Sequence, residues 1–169
     1  ILGSNNKIQS QVKDFYAQLT QTWNSKLETI FALDYNEELS SNTKNITPII
    51  DTKYYFGDIN TIRFVYEHQL SENTVTDEKY YDQILQLEYL RSPNISVSLV
   101  AEMKTSEPTE NDVKRDFWGF VMFGYKVSQH TDLSLLVGSR QAGNICVGGV
   151  CRYEPEFEGV ELKILTRLF

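Results

Sequence analysis

The sequence is short of the residues that carry most protein chemistry. It has two cysteines and two histidines in 169 residues, too few for a convincing metal centre. No segment approaches the ~20 consecutive apolar residues of a membrane helix. That excludes a helical span, but not a barrel, whose strands bury only alternate residues. Basic residues are outnumbered, 16 Lys and Arg against 23 Asp and Glu, for a formal charge of −7, so nucleic acid is not an expected partner. No basic start followed by an apolar stretch appears, so no signal peptide is read. The four prolines are expected in loops or at strand ends, where a missing N–H does no harm.

What is present is alternation. After a polar, irregular segment at 1–11, apolar residues recur at every second position, the period of a strand with one apolar side. About nine antiparallel strands are expected, at 12–23, 27–35, 48–56, 59–70, 79–91, 95–104, 117–126, 133–140 and 160–169. No helical pattern competes. The length suits one domain spanning 1–169. Short turns at 24–25, 57–58, 92–93 and 129–131 alternate with polar loops at 37–47, 71–78, 105–113 and 141–156. Outer-membrane barrels keep this asymmetry, with short turns on the periplasmic side and longer loops outside. Each strand is near the ~9–11 residues that cross a bilayer at a tilt. Aromatic residues gather near strand ends: Trp23, Phe56, Tyr89 and Tyr125 by the short turns, and Tyr35, Tyr81 and Phe117 by the loops. Two such belts are expected where rings sit among headgroups.

The expected fold is therefore all-β, an antiparallel up-and-down transmembrane β-barrel. One face carries Glu28, Asp51, Lys53, Arg63, Glu67, Glu88, Glu102, Lys104, Arg140, Glu161, Lys163 and Arg167, and would line a wet lumen. The other carries Phe31, Leu33, Phe64, Leu85, Leu87, Val97, Leu99, Val121, Phe123, Leu135, Leu162 and Ile164, and would meet lipid. Periodicity alone does not choose between this arrangement and its inverse, a soluble lipocalin-like barrel holding a small apolar ligand. Against the soluble form, no Gly-x-Trp lies near the first strand and no helix precedes the end. Nine is an odd number, so the expectation is the C-terminal part of a larger barrel.

The last strand alternates Val160, Leu162 and Ile164 with Glu161 and Lys163 and runs to Phe169. A strand ending on an aromatic residue resembles the closing strand of Gram-negative outer-membrane barrels, whose terminal Phe is read by the assembly machinery. Phe169 lies on the opposite parity from the other apolar residues of that strand. Cys146-Val-Gly-Gly-Val-Cys151-Arg152 is the most distinctive local motif. Its two glycines let the chain reverse, so that a disulfide between Cys146 and Cys151 would staple a small loop in an oxidising compartment. The alternative, a redox or metal-binding thiol pair, lacks Cys-x-x-Cys spacing and partner ligands. The motif, its Pro155 and Gly159, the terminal Phe and the strands 61–70 and 85–89 together resemble a family of Bacteroidetes-type outer-membrane β-barrel proteins. That resemblance implies a fold and a location, and no substrate.

The expected function is an outer-membrane pore, transport channel or surface scaffold, with no cofactor, metal or enzymatic activity. Its partners would be membrane lipid, the barrel-assembly machinery and, through the long loops, other envelope proteins. A barrel hydrolase would need a nucleophile beside His68, and no convincing serine partner is legible. The parity of His68, shared with Ile62, Phe64 and Tyr66, places it instead at the lipid headgroups.

Overall fold

The computed structural model describes residues 12–38, 42–105, 117–140, 143–147 and 150–166, and side chains in all of these except 143–154. Among them there are eleven strands and no helix. The strands are β1 (Val12–Asn24), β2 (Leu27–Glu38), β3 (Thr43–Phe56), β4 (Asn60–Asn73), β5 (Lys79–Arg91), β6 (Ile95–Thr105), β7 (Phe117–Lys126), β8 (Thr131–Arg140), β9 (Gly143–Val147), β10 (Val150–Glu154) and β11 (Phe157–Thr166). Nine of them form one antiparallel sheet in the order β1-β2-β3-β4-β5-β6-β7-β8-β11, and β9 with β10 forms a separate two-stranded sheet. The large sheet is not closed: β1 and β11 are its two edges.

Strand limits differ from expectation where polar residues conceal the pattern. The loop expected at 37–47 contracts, because β2 continues to Glu38 and β3 begins at Thr43. The loop at 71–78 likewise yields Ser71 to Asn73 to β4. The fourth expected loop contains the β9–β10 hairpin, and the closing strand starts at Phe157, three residues early. Pro48 lies inside β3 rather than at its end. It pairs with Leu33 of β2, while the ladder to β4 skips from Ile46↔Leu70 to Ile49↔Glu67. A residue without an N–H interrupts the ladder on one side and leaves the other intact. Pro108 and most of the loop expected at 105–113 lie outside the described residues.

Sheet neighbours account for the strand contacts; apart from marginal ones, no strand of the large sheet packs across a face. A sheet without a second layer buries one face only by curving toward it. The buried side chains fall on one parity almost throughout: Ala32, Asp51, Val65, Glu88, Ser98 and Leu136 are examples. Burial fades toward the edges, and β1 is exposed along its whole length. The register carries each face across the sheet without slippage. One outward row reads Thr29, Thr52, Phe64, Leu87, Leu99, Val121, Val137 and Val160.

One glycine, Gly138, permits close approach where the curved sheet nears its β11 edge. Gly138 and Gly159 are cross-strand partners, with φ of +130° and +132°. A Cβ on Gly138 would stand 2.3 Å from the Gly119 carbonyl oxygen and 2.7 Å from Phe120 Cα, both backbone atoms. We expect Gly138→Ala to lose at least ~2 kcal/mol of unfolding free energy, from strain plus overlap. Gly119→Ala meets only the movable ring end of Phe117, at 3.3 Å, and should lose under ~1 kcal/mol. Urea unfolding of the two variants and the parent measures both, and equal losses would contradict the close-approach argument.

Candidate functional site

Alternation places one charged side chain per two residues on the concave face, and register assembles them into groups. Glu28, Lys53, Arg63, Glu88 and Ser98 occupy successive positions of one row across β2 to β6. Arg63 is the centre of that row. Its Nε donates to Asp51 Oδ1 at 3.0 Å and its Nη2 to Asp51 Oδ2 at 2.9 Å, the two-pronged geometry a guanidinium favours with a carboxylate. Its Nη1 lies 3.7 Å from Glu88 Oε2, and Ser98 Oγ donates to Glu88 Oε1 at 3.3 Å. Glu88 and Ser98 are fully buried. A carboxylate in that position needs both a cation and a hydrogen bond, and it has both.

A second group lies toward the loop end. Glu67, Ile84 and Glu102 share one row, and Gln69, Asp82 and Lys104 the next. Lys104 Nζ stands 5.9 Å from the centre of the Tyr80 ring. Among the described residues no set of three His, Cys, Asp or Glu side chains is arranged to hold a metal ion.

The third group is built on Arg140, which is buried at the end of β8. Its Nε donates to the Pro155 carbonyl at 3.0 Å and its Nη1 to Glu161 Oε2 at 2.9 Å. Its guanidinium carbon lies 5.2 Å from the centre of the Phe157 ring, and Lys163 Nζ approaches the same Glu161 oxygen at 3.3 Å. Beside this group the concave face turns apolar: Phe120, Met122 and Leu136 form a buried cluster flanked by Val100 and Phe157. The face is thus ionic across β2 to β6 and apolar across β7 and β8 up to Arg140.

The convex face is apolar in its middle and polar at its loop end. Its loop-end row reads Lys13, Glu37, Lys44, Glu72 and Lys79 across β1 to β5, with alternating charges. Lys13 Nζ lies 3.1 Å from Glu37 Oε2 and Lys79 Nζ 3.5 Å from Glu72 Oε1. Just inside that row, His68 lies between Tyr66 and Tyr81, with ring centres 6.4 and 5.8 Å away. At the turn end, Phe56 stacks with Tyr54 at 6.0 Å and with Tyr89 at 6.2 Å.

The chain belongs to the DUF6029 family. The family, described as one of unknown function, matches residues 4–168, the whole sheet included. No curated protein sequence matches the chain. In this DUF6029 chain every described member of the charged set named from the sequence is buried or half-buried, and every member of the apolar set except Val97 is exposed. Arg167 and Phe169 lie outside the described residues. The side chains of Cys146 and Cys151 do too, although their backbones stand directly opposite each other in the β9–β10 ladder.

Three features escaped the sequence reading. The alternating charge row is one, because Lys44 and Glu72 fell in expected loops. The apolar half of the concave face is another: Trp118, Phe120 and Met122 sit on the parity assigned to charge. The third is a hydroxyl pair on the convex face. Trp23 Nε1 donates to Thr29 Oγ1 at 3.1 Å, and Thr29 and Thr52 hydroxyls are 3.3 Å apart. Trp23 is the extra residue of a bulge between Thr22 and Asn24. Only the register brings these groups together.

Removing Arg63 would leave Asp51 and Glu88 without their shared cation. Arg63→Met should lose ~2–3 kcal/mol, below the usual range for a fully buried pair because the Arg63 side chain is 24% exposed. Adding Asp51→Asn and Glu88→Gln should restore most of that loss. Urea unfolding of the single and triple variants tests it; an Arg63→Met protein within ~0.5 kcal/mol of the parent would show that the network contributes little.

Proposed function

We propose that this DUF6029 chain forms the wall of an outer-membrane β-barrel that serves as a pore, transport channel or surface scaffold. Its convex face meets lipid, and its charged concave face lines a hydrated interior. One observation carries this reading: the exposed side of the sheet is the greasy one. Leu99 is 47% exposed and Ile164 65%, while Glu88 is 1% and Arg140 2% exposed. A continuous apolar surface of this extent marks an interaction site in a soluble protein, and in a membrane barrel it is the lipid-facing band.

The limits of that band support the same reading. On β4 it runs from Ile62 to Leu70 before Glu72 ends it. Eight residue steps at ~3.4 Å, tilted as barrel strands are, give roughly 20 Å, near the ~25 Å apolar height of such barrels. Aromatic rings stand at both margins, and the Lys–Glu row lies beyond one of them. Three polar convex groups within the band, Trp23, Thr29 and Thr52, satisfy one another. An unpaired hydroxyl in hydrocarbon costs several kcal/mol. The longer connections join strands at the charged margin, where other envelope proteins would dock, and the closing strand would meet the assembly machinery.

Leu99→Lys separates this reading from a soluble barrel. At an exposed position of a soluble protein the change is nearly neutral, within ~0.5 kcal/mol. Near the bilayer midplane a lysine costs ~2–4 kcal/mol. We expect the larger loss for protein refolded into vesicles, together with precipitation of the parent when amphiphile is withdrawn. Tolerance of Leu99→Lys would refute the membrane assignment.

The facing positions of Cys146 and Cys151 support a disulfide that staples the β9–β10 hairpin in an oxidising compartment. Non-reduced protein should resist alkylation under denaturing conditions and gain two alkyl groups after reduction, read by intact mass. Two freely alkylated thiols before reduction would dismiss the staple.

A further inference from the structure

The two free edges are constrained by direction. In an antiparallel sheet of nine strands, the first and last point the same way, so β1 and β11 run parallel to each other. Among the described residues each offers a row of backbone N–H and C=O groups that no other strand pairs. Resting on the membrane reading, such edges cannot stay open, because hydrocarbon supplies no hydrogen bonds. Three occupants of the β1 edge are conceivable. Curling until β1 meets β11 would create a parallel pair, the less stable ladder, and would close an odd barrel, which bacterial single-chain barrels avoid. A second copy offers nothing different. Copies inserted with the same loops outward present only β1 or β11 as free edges, and both point as β1 does. Every edge available from these nine strands is therefore of the wrong polarity.

We propose that the β1 edge is covered in the membrane by a transmembrane strand from outside the nine, running antiparallel to β1. An odd number of such strands closes the wall with antiparallel ladders throughout. The chemistry of the neighbouring strand follows from β1. It presents apolar residues to lipid beside Phe15, Ala17 and Leu19, and polar ones inward beside Tyr16, Gln18 and Thr20. Level with Lys13 it presents a carboxylate, because Lys13 ends the alternating row that continues through Glu37, Lys44, Glu72 and Lys79.

The test uses the complete polypeptide purified from membranes and placed in phospholipid vesicles. Hydrogen exchange of the β1 segment should be as slow as that of β5, about a hundredfold or more below an open edge. A photo-crosslinking residue replacing Gln18 should capture a peptide from outside 12–166. Capture of β11, or of β1 or β11 from an isotope-labelled second copy, overturns the proposal, as does fast exchange across β1. The membrane reading fails separately: rapid β1 exchange in vesicles with Leu99→Lys still destabilising rejects only the edge assignment, whereas tolerance of Leu99→Lys rejects both.

Discussion

The structure depends on register. Side chains of a strand alternate with a period of two, so a one-residue slip of any strand would exchange its faces. Nine strands in series leave eight interfaces at which that could happen. The pairing holds parity at all of them, including β3–β4, where Pro48 interrupts the ladder without shifting it. At β1–β2 the bulge at Trp23 adds a residue only beside the turn, after the faces have been set. An apolar surface on one side and the charged row from Glu28 to Glu88 on the other exist only because neither irregularity shifts the parity.

Curvature then gives the two faces different physics. On the convex side, residues spread apart, and single apolar side chains are left exposed. On the concave side they converge, and charges are forced within contact distance of each other. The ion pairs of Arg63 and Arg140 are the consequence. Each arginine also ties a position that the ladder does not pair with it: Asp51 registers against Val65, not Arg63, and Glu161 against Leu136, not Arg140. Where the backbones approach most closely, between β7 and β8, side chains disappear or become apolar, at Gly138 and in the Phe120 cluster. The concave face is consequently asymmetric, ionic along one arc and apolar along the other.

Much of this was legible in the residues. Strands such as Ile95–Thr105 alternate so regularly that element, face and turn side follow directly. The limits of legibility have physical causes. Thr43 to Ile46 read as loop because their convex residue, Lys44, belongs to the charged margin and breaks the apolar alternation that marked the rest of β3. The β9–β10 strands are five residues each, too short for a period to show among glycines and cysteines. Trp118, Phe120 and Met122 lie opposite Phe117, Val121 and Phe123, so both faces of β7 are apolar and no alternation assigns them. Diagonal contacts, such as Arg63 with Asp51 or Trp23 with Thr29, are not sequence properties at all. They are read only once neighbouring strands are aligned.

The excursion between β8 and β11 shows how such a wall tolerates insertion. The chain leaves the sheet after Arg140, makes a complete hairpin, and re-enters at Phe157, which pairs with Arg140 itself. The departure therefore adds no register shift, and Glu161 still lands on the concave face and Val160 on the convex. Arg140 enforces that return. It holds the Pro155 carbonyl just before β11, lies against the Phe157 ring at its start, and binds Glu161 one turn of the pleat further on. A residue read from sequence as one more lumen charge is thus the anchor of the last strand. What fixes β11 in place is one side chain of β8 and the three residues it meets, Pro155, Phe157 and Glu161.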